Sequence, residues 1–81
     1  MRLWIGNIAP GTSDEELTAL IGKYAPGLRC AGIERVEGDG SRPAAMIECE
    51  GSPPATLHSA AARLHGMFWK GRTLVCNAMP G

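Results

Sequence analysis

The hexamer Leu3-Trp4-Ile5-Gly6-Asn7-Ile8 constrains the fold more than any other stretch of the chain. Its residues alternate, so Leu3 and Ile5 point to one side of a strand and Trp4 to the other. A strand of this kind is buried on one face only. It runs through the breakers Ala9-Pro10-Gly11 straight into a helix start. The chain must therefore pack helices against one side of a sheet and leave a tryptophan on the other, where the core has no use for it.

The remaining elements follow the same logic. The first strand is read as Arg2 to Ile8. Thr12 or Ser13 can cap the helix after it, and Ser13 with Glu16 has capping-box spacing. Asp14, Glu15 and Glu16 suit the positive end of that helix, and Leu17, Leu20, Ile21 and Tyr24 form its apolar stripe. Pro26-Gly27 ends it. A second strand lies within Cys30 to Glu37, where the three-residue spacing of Ile33 and Val36 suggests a bulge. Gly38-Asp39-Gly40-Ser41 predicts a hairpin turn into a third strand, Ala44 to Glu50, with Ala45, Ile47 and Cys49 inward and Ala44, Met46 and Glu48 outward. Ser52 is the expected cap of a second helix that has Pro at its first position, the stripe Leu57, Ala60, Ala61 and Leu64, and a stop at Gly66. A last strand is read over Arg72 to Asn77, with Leu74 and Cys76 inward and Thr73, Val75 and Asn77 outward. The order is β-α-β-β-α-β. Two amphipathic helices cover one side of a four-stranded antiparallel sheet and leave the other open, so the fold class is an α+β ferredoxin-like sandwich.

Composition narrows the function. With 81 residues there is room for one domain. A formal net charge of zero argues against a sequence-blind polyanion binder, which needs a basic surplus. The charge is uneven: Glu34, Glu37, Asp39, Glu48 and Glu50 outnumber Arg35 and Arg42 in the middle of the chain, while Arg63, Lys70 and Arg72 are the charges after residue 51. Any anion-binding surface must use selected basic residues. Cys30, Cys49 and Cys76 make an odd, widely spaced set and are read as small buried apolar residues. His58 and His65, seven apart, lack a third ligand, so neither metal nor cofactor is expected. The absence of a membrane-length apolar run and of a signal-peptide pattern leads to the expectation of a cytoplasmic protein without a membrane partner.

The hexamer resembles the first ribonucleoprotein motif of the RNA recognition motif family, an aliphatic-aromatic-aliphatic-Gly-Asn-aliphatic string with its aromatic at Trp4. The runs Leu64-His65-Gly66 and Gly71-Arg72-Thr73-Leu74 are similar to that family's Leu-Asn-Gly and Gly-Arg-x-Leu ending. The resemblance spans essentially the whole chain. It implies a non-enzymatic module whose partner is single-stranded RNA, or single-stranded DNA; a monomer is expected. A base is the commonest flat partner for an aromatic ring on an open sheet.

The family's second motif falls on Arg42-Pro43-Ala44-Ala45-Met46-Ile47-Glu48-Cys49. The family pattern has a basic residue first and aromatics at the third, fifth and eighth places. Here Arg42 keeps the basic position, Ala44 and Met46 stand where base-stacking rings are expected, and Cys49 replaces the inward ring. Base stacking contributes about 1–3 kcal/mol per base, so the loss of two rings forfeits about 2–6 kcal/mol, and affinity is expected to be micromolar or weaker. The resemblance and the alternation together nominate Trp4 for stacking, with Ala44, Met46 and Val75 beside it. Arg42, Arg2 and Arg35 are nominated for phosphate, Asn77 for a base edge, and Asn7 for a base edge or a strand-end hydrogen bond.

A protein-interaction module is the alternative. Some family members bind peptides through an Arg-x-Phe in the loop before the last strand. The matching residues here are Met67-Phe68-Trp69, so that pattern is not met, yet Phe68 and Trp69 are costly to expose on a loop and could anchor a protein partner, and separately Trp4, Met46 and Val75 could form an apolar sheet face that self-associates. The glycine-rich arginine loop of acylphosphatases and the paired-cysteine loop of heavy-metal-binding domains, which share this fold outline, are both missing.

Overall fold

Alternation along the first strand sets the architecture. A computed structural model describes residues 2–51 and 53–79. Strand β1 (Arg2–Gly6) buries Leu3 and Ile5 completely while Trp4 stays part-exposed on the other face. Helix α1 (Asp14–Tyr24) begins with the capping box expected from the sequence. The Ser13 hydroxyl accepts from the Glu16 amide, and the Glu16 carboxylate accepts from the Ser13 amide. Strands β2 (Cys30–Val36) and β3 (Ala44–Cys49) form a hairpin whose turn is closed by Asp39, which accepts from both the amide and the hydroxyl of Ser41. Helix α2 (Pro54–Leu64) has Pro53 at its cap and Pro54 in its first turn; Ser52, the expected cap, lies outside the described residues.

The last strand divides. Strands β4 (Phe68–Trp69) and β5 (Arg72–Thr73) pair as a tiny hairpin, and β6 (Val75–Met79) continues into the main sheet. The hairpin turns on Lys70 and Gly71, both with positive φ, the backbone that suits the right-handed twist of adjacent strands. Lys70 holds this disfavoured conformation while its ammonium donates to Glu16 at 2.6 Å, which pins the turn to the start of α1.

The main sheet runs in the order β2-β3-β1-β6, each neighbouring pair antiparallel. Directly opposite residues in such a sheet share a face. Leu3 is thus in register with Ile47 and Ala78, and Ile5 with Ala45 and Cys76. These side chains meet Leu17, Ile21, Leu57 and Leu64 from the helices in one core cluster. Each fully buried Leu or Ile there contributes about 1.5–3 kcal/mol.

Two expectations are corrected. The bulge in β2 lies at Ala31, between Cys30 and Gly32, and not between Ile33 and Val36. Ile33 faces the core and Val36 the open side, so their odd spacing reflects opposite faces of a regular stretch. Cys49 and Cys76 are buried as expected, but Cys30 is exposed, because β2 is an edge strand. Among the described residues no helix is long and apolar enough to cross a membrane.

Candidate nucleic-acid interface

The open face of the sheet carries its side chains in three rows fixed by the register. Gly32, Glu48, Arg2 and Met79 form one, Glu34, Met46, Trp4 and Asn77 the next, and Val36 with Ala44 lies level with the pair Gly6 and Val75 in the third. Trp4 is central, with Met46 directly opposite on one side and Asn77 on the other. Its indole leans along β1 over Gly6: a Cβ built on Gly6 would sit 3.1 Å from Nε1 and 3.8 Å from Cε2. Gly6 is buried for that reason, under the ring rather than in the core.

Beside the indole lies an open cleft of about 490 Å³, lined by Trp4, Gly6, Asn7, Arg42 and Val75. Four residues nominated from the sequence therefore converge on it: Trp4, Arg42, Asn7 and Val75. Arg42 is exposed and makes no ion pair within 4 Å among the described residues. Nearby Asp39 is committed to Ser41, whose hydroxyl and amide chiefly hold its carboxyl below the usual range, with Arg42 the weakest influence.

Asn7 closes β1 in a left-handed conformation, φ 58°. Its side chain is a tie. Nδ2 donates to the Thr73 carbonyl at 2.9 Å, and Oδ1 accepts from Arg72 Nη1 at 3.3 Å. The same Arg72 nitrogen donates to the Ser41 carbonyl at 2.6 Å. The strand-end hydrogen-bonding role considered for Asn7 is thus present in the fold.

The other nominated residues are placed differently. Met46 and Asn77 flank Trp4 but lie outside the cleft lining. Arg2 sits on the open face 3.8 Å from Glu48, so part of its charge is answered there. Ala44 occupies the expected row but is only 4% exposed, and its single methyl group presents no surface to a base. Arg35 belongs to the opposite face, in register with buried Ala45. Its guanidinium donates to the Thr12 carbonyl and to Asp14 at the start of α1, at 2.9 and 3.0 Å, so its phosphate role is withdrawn. Two contributors went unnominated, Gly6 and Arg72. Gly6 was legible as the residue two beyond Trp4, on the same face with no side chain to lift the ring. Arg72 acts through a contact between residues 31 positions apart, which no local pattern reveals.

No family model and no curated protein matches the chain by sequence. Solved structures do match in three dimensions. The third RRM of Pes4 superposes with a TM-score of 0.78 at 11% identity, over 99% of this chain and 92% of that one. The RRM of Rna15, solved with bound RNA (GU), gives 0.73 at 18% identity over 99% and 83%. RNA-binding protein PG1 gives 0.71 at 20% identity over 100% and 99%. The chain has the RNA recognition motif fold.

Within that RNA recognition motif fold the helical side carries its own features. Trp69 is half-buried against the core and borders a groove with Leu20 and Tyr24, its ring 5.6 Å from Lys70 Nζ. Phe68, its neighbour on β4, is 73% exposed. His65 Nδ1 accepts from the Cys76 amide at the β6 edge, 3.1 Å away, and among the described residues no group of three ligating side chains gathers around either histidine.

Proposed function

We propose that this chain binds single-stranded RNA on the open face of its sheet, with one nucleotide in the cleft beside Trp4. The observation that carries this reading is the pairing, across one cleft, of an aromatic ring with a guanidinium that has no carboxylate partner among the described residues. A base stacks on the indole and its phosphate lies toward Arg42. The likeness to the Rna15 RRM, which was solved with RNA, supports the choice of ligand.

The surroundings limit affinity and path. Glu34 and Glu48 occupy the β2–β3 half of the same face and repel phosphate. The strand therefore keeps to the β1–β6 half, near Val75 and Asn77. With one or two phosphates neutralised, the salt dependence is shallow, a slope of about 0.7 per phosphate for single strands. Binding by this domain alone is of micromolar strength or weaker.

The test is an amide and indole NMR titration with a randomised pool of short single-stranded RNA at low salt, repeated with Trp4→Ala. The expected result is joint movement of the Trp4 indole and the amides around Arg42, Met46 and Asn77. Trp4→Ala should cost about 1–3 kcal/mol, a loss of about five- to 150-fold. A folded Trp4→Ala variant with wild-type affinity overturns the reading. Exposed Phe68 favours one second reading, a protein partner at the β4–β5 hairpin; silence on the sheet with RNA would shift the balance to it.

A further inference from the structure

We infer that Arg72 is a positioning residue for the cleft: it holds the turn between β2 and β3 so that Arg42 stands beside Trp4. The inference rests on the RNA-binding reading and adds a residue to that site. Arg42 itself lies just outside β3 and among the described residues makes no side-chain hydrogen bond that would fix it. Exposed long side chains on a turn sample many rotamers, and ordering one at the moment of binding costs affinity. The turn, however, is anchored from outside. Arg72 Nη1 donates to the carbonyl of Ser41, the residue immediately before Arg42, at 2.6 Å. Its second hydrogen goes to Asn7 Oδ1 at 3.3 Å, and Asn7 returns a hydrogen bond to Thr73 at 2.9 Å.

The clamp therefore joins the end of β1, the turn before β3 and strand β5, and it meets the cleft at Asn7. Pro43 completes the arrangement from the other side of Arg42, since its carbonyl accepts from the Ile8 amide at 2.9 Å. Arg42 is thus flanked by two residues whose carbonyls are both tied down, that of Ser41 by Arg72 of β5 and that of Pro43 by the Ile8 amide beyond β1. Its side chain, with no hydrogen bond or ion pair among the described residues, is available to meet a ligand. Both Nη1 hydrogens of Arg72 are spent on this task, and Arg72 is not among the residues lining the cleft. It acts through Arg42 and not by touching the phosphate.

The test has one arm without RNA and one with it. In ligand-free protein, Arg72→Gln should lower the backbone order of Ser41 and Arg42, read by heteronuclear NOE, and shift the Ser41 carbonyl resonance, with the rest of β3 unchanged. Unaltered order at Arg42 in folded Arg72→Gln overturns the inference whether or not RNA binds. With the randomised short RNA pool, Arg42→Gln is expected to weaken binding about tenfold, the worth of one charge-assisted hydrogen bond. Arg72→Gln should weaken it several-fold, and the double variant should be no weaker than Arg42→Gln alone. Additive losses would mean that Arg72 contacts the ligand independently, and would overturn the positioning role. Should Arg72→Gln not fold, Arg72→Lys keeps the stem and the charge and goes through the same cycle. A loosened turn in a protein whose wild type ignores RNA would leave the clamp standing and remove the RNA-binding reading instead.

Discussion

The indole of Trp4 lies so close over Gly6 that a methyl group there would stand 3.1 Å from Nε1. Gly6 does not have a positive φ, so an alanine meets no backbone strain, only the ring. Gly6→Ala should therefore push the indole outward by a few tenths of an ångström. The expected cost in stability is about 1 kcal/mol, within the range for small-to-large changes. RNA affinity should fall with it, and the indole NMR resonance should move in the free protein. Thermal unfolding and the RNA titration check both. An unchanged indole resonance would mean that the ring does not rest on Gly6.

Alternation made much of this site readable. Once Leu3 and Ile5 are recognised as core, Trp4 and Gly6 must face the other way, and the same rule places Met46 and Val75. It failed at Arg35 for a physical reason. Edge strand β2 buries little beyond Ile33, so its hydrophobic pattern is too thin to show which face Arg35 takes. The destination of Arg35, the start of α1, depends on how far the strand projects past the helix. The start of α1 was legible because its cap is local: Ser13 and Glu16 are three residues apart and need nothing else. The Asn7–Arg72–Ser41 clamp was not, because its members meet only after the sheet has closed.

Phe68 and Trp69 are adjacent on β4 and so face opposite ways. Trp69 packs against the core and Phe68 does not. Trp69→Ala should destabilise the domain by about 2 kcal/mol, below the range for a fully buried aromatic because the ring is only partly buried. Phe68→Ser should stay within about 0.5 kcal/mol of the wild type. Neither should alter the RNA titration while the fold holds. Urea unfolding of the two variants measures the split, and equal losses would mean that the hairpin is seated differently.

Glu16 links the helix cap to the β4–β5 hairpin and supplies a pH signature. Its carboxyl is held below its ordinary 4.5, first by the hydrogen bond from Lys70, then by that from the Ser13 amide. The folded state therefore favours the ionised form more than the unfolded state does. That contribution is complete above the unfolded value and is lost as pH falls below about 4.5 through the lower folded value. Asp39 is shifted in the same direction by Ser41, so the readout is the difference between variants. The melting temperature of Glu16→Gln should lie below the wild type at neutral pH, with the gap closing in acid. A gap independent of pH would show that the charge of Glu16 makes no contribution.

The three cysteines report on the sheet from edge to edge. Cys30 lies exposed on β2, Cys49 is buried on β3, and Cys76 is buried on β6. The thiolate is the reactive form, so burial protects twice, by blocking access and by holding the proton. Burial, with a smaller contribution from Cys49, pushes the Cys76 thiol up to about 12. Burial raises Cys49 as well, and Cys30 to some degree, though the latter remains open to solvent. Native protein treated with iodoacetamide at mildly alkaline pH should gain one adduct, at Cys30, located by peptide mass spectrometry. Cys49 and Cys76 should react only as urea unfolds the domain, and together, since their strands flank β1 in one cooperative sheet. Labelling of Cys76 in native protein as fast as Cys30 would mean that β6 does not bury its inward face, and with it would go the register that sets Asn77 and Val75 beside Trp4.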